Sequence, residues 1–254
     1  MNIQGQSAFV TGGGSGLGEA VARELTRLGA KVTVFDRNAE GAQRVAGEIG
    51  GLATVGDVAD SDNVTAALDA ATAAHGVPRI VMNVAGIGKA NRIVQKDGTA
   101  SPLEDFERVL RVNLVGTYNV ARLAAARIVA LDALADGERG VIVNTASVAA
   151  FDGQVGQEAY AASKAGVVGM TLPMARDLAQ WGVRVCAIAP GLFKTPLLAT
   201  LPEAIQQSLA ASIPFPKRLG DPAEFAALAA HIVSNGHLNG EVIRLDGALR
   251  MAPR

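Results

Sequence analysis

At 254 residues, 49% of them apolar but only 4% aromatic, the chain has enough Val, Ile, Leu and Ala for one sizeable core, and a single domain over residues 1–254 is expected. A formal net charge of −1 without a long Lys/Arg block argues against nucleic acid or an anionic membrane as main partner and favours a small molecule. The opening Met1-Asn2-Ile3-Gln4-Gly5 shows no leader pattern, and no apolar run approaches the roughly 20 residues that span a bilayer, so a soluble cytoplasmic protein is expected.

The first strand reads as Ser7 to Thr11, followed by Thr11-Gly12-Gly13-Gly14-Ser15-Gly16-Leu17-Gly18 and a helical pattern from Glu19 to Leu28. Glycines at a strand-to-helix turn let a diphosphate approach backbone amides at the positive end of a helix. The spacing is a variant of the dinucleotide fingerprint, and a glycine turn serving packing alone is the competing reading. The second strand, Val32 to Phe35, ends in Asp36, eighteen residues beyond Gly18. A carboxylate there can accept hydrogen bonds from ribose hydroxyls and would repel a 2′-phosphate, which favours NAD over NADP. Arg37 is either a partner for such a phosphate or a solvated residue after the strand. No Gly-Lys-Ser/Thr closes the loop, which speaks against an ATP-type phosphate loop.

Further strands are expected at Ala53 to Val55, Ile80 to Asn83, Val141 to Thr145, Val183 to Ala189 and Val242 to Leu245, with helix-length segments between them. This alternation predicts an α/β, doubly wound, seven-stranded parallel sheet with helices on both faces. Ser101-Pro102-Leu103-Glu104 and Asp221-Pro222-Ala223-Glu224 read as helix starts, each with a capping side chain and a proline at the first helical position. Gly88 to Ser101 and the proline-rich Gly191 to Pro216 interrupt the alternation; such excursions serve as lids, binding loops or plain surface insertions. Cys186, the single cysteine, falls in the strand Val183 to Ala189, where burial would leave it inert. His75, His231 and His237 form no ligand pattern, so no metal is expected.

Reactive groups in such folds gather at the carboxyl ends of the strands. Ser147 follows the strand Val141 to Thr145, and thirteen residues later Tyr160 and Lys164 stand at i and i+4 on one helix face. Transfer of a hydride from an alcohol needs a base for the hydroxyl proton and a donor to hold the oxygen. Tyrosine titrates near pH 10, so a base working near neutrality must be brought down by roughly 2 to 3 pH units, about 3 to 4 kcal/mol. The Lys164 ammonium supplies a field of the right sign, and Ser147 can hold the substrate oxygen beside the phenol.

Together, Thr11 to Gly18, Asp57, Asn83-Val84-Ala85-Gly86, Asn113, Ser147, Tyr160, Lys164 and Pro190-Gly191 resemble the short-chain dehydrogenase/reductase family in order and spacing, across essentially the whole chain. Val84 departs from the commoner second Asn. The resemblance implies catalysis by Asn113, Ser147, Tyr160 and Lys164, with Asn113 holding a relay water. It places NAD against Gly12, Ser15, Gly16, Leu17, Gly18, Asp36, Asp57, Val58, Asn83, Ala85, Gly86, Pro190, Gly191, Phe193 and Thr195, as well as Tyr160 and Lys164. Asn83 is also implied to brace the sheet.

The segments Ser147 to Gln157, Pro190 to Leu198, Pro214 to Gly220 and Leu238 to Met251 are more closely similar to the type 2 3-hydroxyacyl-CoA dehydrogenases of that family. These imply an acyl-CoA substrate touched by Ser147, Gln157, Tyr160 and Leu192, a lid at 191–216, and a homotetramer. For the tetramer, Asn119 to Ala135 and Gln157 to Ala179 are interface candidates. The anionic coenzyme A would find cations among Lys89, Arg92, Lys96, Lys194, Lys217 and Arg218. Hydroxysteroid oxidation and carrier-protein-linked 3-oxoacyl reduction are the alternatives among enzymes. A scaffold or RNA-processing subunit is the alternative outside them.

Overall fold

The computed structural model describes residues 1–199 and 202–253; Thr200 and Leu201, inside the expected loop, and Arg254 lie outside the described residues. From the amino end run β1 (Ser7–Thr11), α1 (Gly16–Arg27), β2 (Lys31–Asp36), α2 (Ala39–Ile49), β3 (Leu52–Val55), α3 (Ser61–His75) and β4 (Ile80–Asn83). Then follow α4 (Leu103–Leu110), a π-helical turn (Arg111–Gly116), α5 (Thr117–Ile128), β5 (Gly140–Thr145), α6 (Glu158–Ala179) and β6 (Val183–Pro190). The chain continues through α7 (Pro196–Ala199), α8 (Glu203–Ala211), α9 (Pro222–Ser234) and β7 (Val242–Leu245).

The seven strands form one sheet in the order β3-β2-β1-β4-β5-β6-β7, and every neighbouring pair is parallel. All seven expected strands are present, four of them one or two residues longer than the apolar runs, because ladder bonds extend into flanking residues such as Lys31 and Pro190. Strand alternation splits the core. Ala8 and Val10 face Val21, Leu25 and the Ala-rich side of α9, whereas Phe9 and Phe35 stack, 5.5 Å between centroids, on the face covered by α3 and α5. Alanines at Ala42, Ala71, Ala121 and Ala229 are fully buried and let helices approach the sheet closely. Cys186 is fully buried, and burial pushes its thiol up, away from the reactive thiolate.

The two expected helix starts differ. Asp221 accepts the Ala223 amide at 3.0 Å while Glu224 accepts the Asp221 amide at 2.8 Å, a reciprocal cap on α9. Ser101 does not cap α4: Pro102 occupies the N-cap position without a side-chain bond, and the Ser101 hydroxyl is taken by Gln95 and the Arg92 carbonyl. The 88–101 segment thus folds on itself, closed by a Val94–Ala100 antiparallel bridge, and this local order outcompetes the cap. Among the described residues no helix is long and apolar enough to cross a membrane.

The chain leaves β1 towards β2 and β3 on one side and resumes at β4 on the other. In such sheets the switch point opens a crevice beyond the carboxyl ends of the strands, and the site lies there.

Candidate active site

A cleft of about 830 Å³ runs from Asp36 past the glycine loop to Ser147, Tyr160 and Lys164. Its floor is the turn between β1 and α1. Gly12 sits at φ 64°, where L side chains are strained, and a Cβ on it would lie 2.8 Å from the Ala85 backbone. Gly18 must be glycine for a harsher reason: its Cβ would lie 2.1 Å from the Gly12 carbonyl oxygen. The Thr11 hydroxyl ties the same turn to β4 by accepting the Val84 and Ala85 amides at 3.1 and 3.2 Å. Helix α1 starts at Gly16, so its first amides have no intrahelical acceptor and face the cleft.

Asp36 closes one end. Its two carboxylate oxygens accept the Gly14 and Asn38 amides, each at 2.9 Å, which fixes the side chain and leaves other lone pairs for hydroxyl donors. Asp57 and Val58 continue that wall, Asp57 accepting the Ala59 amide at 2.9 Å. Arg37 is exposed at the same end.

At the other end the strand β5 delivers Ser147, whose hydroxyl accepts the Ala149 amide at 3.2 Å and caps a short 3-10 turn. Helix α6 delivers Tyr160 and Lys164. The Lys164 ammonium donates to the Thr145 carbonyl at 2.7 Å and lies 5.8 Å from the Tyr160 ring centroid; two of its three N–H donors remain. Tyr160 is half-buried as a residue, with the phenol end inside the protein. Burial raises its pKa, and the reach of the Ser147 hydroxyl partly offsets this. The expected downward shift is therefore not produced by the chain alone: the same low-dielectric cleft that raises the phenol weakens its cationic neighbour, bringing Lys164 down to about 8.

That depression links to stability. A buried ammonium costs stability while protonated, and the cost is relieved as pH climbs from about 8 towards 10.5. Lys164→Met removes this titration. Wild type should gain roughly 2 to 3 kcal/mol relative to the variant between pH 7.5 and 10 in urea unfolding; a pH-independent difference contradicts it.

Asn113 sits in the π-helical turn, fully buried. Both its amide hydrogens are committed, to the Ile87 carbonyl at 2.9 Å and the Ser163 hydroxyl at 3.1 Å, while its Oδ1 accepts the Ile87 amide at 2.8 Å. A relay water could be held only by its oxygens. Ser163, unforeseen from the sequence, passes the contact on by donating to the Tyr160 carbonyl at 2.7 Å; its signal was its place between Tyr160 and Lys164.

Gly12, Ser15, Gly16, Leu17, Gly18, Asp36, Asp57, Val58, Ala85, Gly86, Ser147, Gln157, Tyr160, Lys164, Pro190, Gly191, Leu192 and Thr195 all line the cleft. Two expected contacts do not. Asn83 is buried, pairing with Asn144 at 2.9 Å across the β4–β5 register, and braces the sheet. Phe193 packs edge-on against Phe225 at 6.3 Å and under Gly220, because the Phe193–Gly220 bridge turns its ring into the core. Of the candidate surface cations, Lys89 pairs with Asp105 at 2.6 Å and Arg218 with Glu224 at 2.7 Å, while Arg108 lines the cleft unforeseen. The cradle of close-packed glycines, the fixed carboxylate and the free lysine donors fit a nicotinamide dinucleotide.

The sequence profile of the short chain dehydrogenases matches residues 6–206, and the chain belongs to that family and is an oxidoreductase. It is similar to the 3-hydroxyacyl-CoA dehydrogenase type-2 of Drosophila melanogaster, 52% identical over 254 residues, 99% of this chain and 100% of that one. The crystal structure of 3-hydroxyacyl-CoA dehydrogenase type-2 from Mycobacterium avium superposes with TM-score 0.95 at 47% identity, covering 98% of each chain. The 3-ketoacyl-(acyl-carrier-protein) reductase from Brucella melitensis, complexed with NADH, superposes with TM-score 0.85 at 34% identity, covering 98% of this chain and 100% of that one.

Proposed function

We propose that the chain is an NAD-dependent dehydrogenase interconverting 3-hydroxyacyl-CoA and 3-oxoacyl-CoA. The observation that carries this reading is the convergence of Ser147, Tyr160 and Lys164 at one end of a cleft whose other end is the fixed Asp36 carboxylate. The full-length likeness to a dehydrogenase of that name supports the substrate class.

When bound, oxidised nicotinamide supplies a hydride-accepting carbon and a positive charge. The remaining work falls to side chains. Ser147, with a lone pair already engaged by the Ala149 amide, donates its hydrogen to the substrate oxygen. Tyr160 takes the hydroxyl proton in oxidation and returns it in reduction. Because burial holds the phenol protonated, the chain by itself is set up as the proton donor, and oxidation draws on the cofactor's charge. Lys164, aimed by the Thr145 carbonyl, holds ribose hydroxyls with its free N–H groups. Asn113 positions Tyr160 through Ser163 and fixes the loop after β4 through the Ile87 backbone. Gly12, Ser15, Gly16, Leu17 and Gly18 cradle the diphosphate, Asp57 and Val58 wall the adenine, Ala85, Gly86, Pro190, Gly191 and Thr195 enclose the cofactor, and Gln157 and Leu192 meet the substrate.

Asp36 supports NAD over NADP, since one carboxylate accepts from ribose hydroxyls and repels a 2′-phosphate. Asp36→Ala should lower the ratio of NADH to NADPH efficiency by at least roughly tenfold, with the exposed Arg37 then able to pair the phosphate; an unchanged ratio contradicts the role. A cytoplasmic homotetramer belongs to the same reading, and the half-exposed Val115 and Tyr118 beside and on α5 suit a subunit interface. The substrate class is tested by comparing kcat/KM for acetoacetyl-CoA, a steroid ketone and a carrier-protein-linked 3-oxoacyl chain, each with NADH. Preference for the free coenzyme A thioester supports the reading, and preference for either alternative overturns it.

A further inference from the structure

Beyond β7 the chain turns back across the substrate end of the cleft. Arg244 fastens this return: it bonds Asp246 and Asp152, each at 2.7 Å, and the Leu249 carbonyl at 3.0 Å. Leu249 is buried with Ile213 and Leu219. Past Met251, the Gln154 side chain donates to the Ala252 carbonyl at 2.9 Å and the Val155 amide to the Pro253 carbonyl at 3.1 Å. Both acceptors are held by the segment between Ser147 and Tyr160. The tail is therefore pinned on both sides of Met251, and Met251 itself lines the cleft.

The rim of the cleft has two chemistries. Arg108 and Lys89, the latter paired with Asp105 at 2.6 Å, bring charge to the lining, while Leu192, Leu198 and Met251 belong to one apolar cluster that lines it as well. A 3-hydroxyacyl thioester extends two ways from its reacting carbon: towards the anionic coenzyme A and towards an apolar chain end. The charged rim suits the first and the apolar wall the second.

We infer that Met251, held on the C-terminal tail, closes the acyl end of the cleft and sets the length of chain that it admits. This rests on the acyl-CoA reading above. Methionine is unbranched and adaptable, so it fits itself to chains of differing shape up to the limit set by the pinned backbone. Truncation to alanine opens room along the chain axis; phenylalanine fills it.

The test is kcat/KM for acetoacetyl-CoA and 3-oxooctanoyl-CoA with NADH, in wild type, Met251→Ala, Met251→Phe and Met251→Leu. The ratio of long to short substrate should rise about tenfold or more in Met251→Ala, since each methylene admitted to an apolar pocket is worth about that factor. It should fall in Met251→Phe and stay near wild type in Met251→Leu, with NADH affinity unchanged throughout. A residue that merely anchors the tail would lower both substrates together, so an unmoved ratio in active variants overturns the inference and leaves the acyl-CoA reading intact. Wild-type inactivity towards both thioesters overturns that reading and this inference with it.

Discussion

Tyr160→Phe should lower kcat by roughly 10³-fold or more while NADH affinity changes by less than about threefold. The substitution deletes one oxygen from a side chain whose ring is packed on α6, so the helix, Lys164 and the Lys164–Thr145 contact persist. What is lost is the phenol oxygen that lies within reach of the Ser147 hydroxyl at the catalytic end of the cleft, the group assigned to carry the substrate proton. The combination of lost turnover and retained binding is the signature of an interaction made in the transition state. Retained turnover would reassign the proton to another group; equal loss of NADH binding would make Tyr160 a structural residue.

Gly18→Ala should fail at the earlier step. Its Cβ would meet the Gly12 carbonyl oxygen at 2.1 Å and the Gly12 carbonyl carbon at 2.6 Å. Backbone cannot rotate away as a side chain can, so the turn must open and carry the α1 amides with it. An overpacking cost of roughly 3 kcal/mol, concentrated in this turn, corresponds to about a hundredfold weaker NADH binding. Gly47→Ala is the control: in α2 its Cβ meets nothing within 4 Å, so NADH affinity should hold and stability rise by roughly 0.5 to 1 kcal/mol. Equal NADH titrations for both variants would contradict the role of the Gly12–Gly18 packing.

The sheet was legible because its strands are short apolar runs punctuated by glycine and proline, and ladder pairing only lengthened them at the ends. The cleft was legible where reactive residues follow strand ends, as Asp36 follows Phe35 and Ser147 follows Thr145. It was less so inside loops. Phe193 lies between cleft-lining Leu192 and Thr195, and its turn into the core is decided by a bridge to Gly220, far along the chain. Asn83 ends a cleft-edge strand, but its side chain points along the sheet to its register partner Asn144. Ser163 stands between Tyr160 and Lys164, but its link to Asn113 is fifty residues away in sequence, and Met251 reaches the cleft through a tail anchored on distant residues, which no local pattern marks. The environment of Tyr160 is only half legible for a related reason: charge spacing on a helix face can be read from a sequence, whereas the burial that raises the phenol and lowers Lys164 cannot.

The most direct test of the central claim is the loss of NADH absorbance when the purified protein meets acetoacetyl-CoA, run beside NADPH. Rapid turnover selective for NADH is the predicted result. Absence of turnover, with NADH bound in a parallel titration, would contradict the assigned reaction while leaving the fold and the cofactor cradle in place.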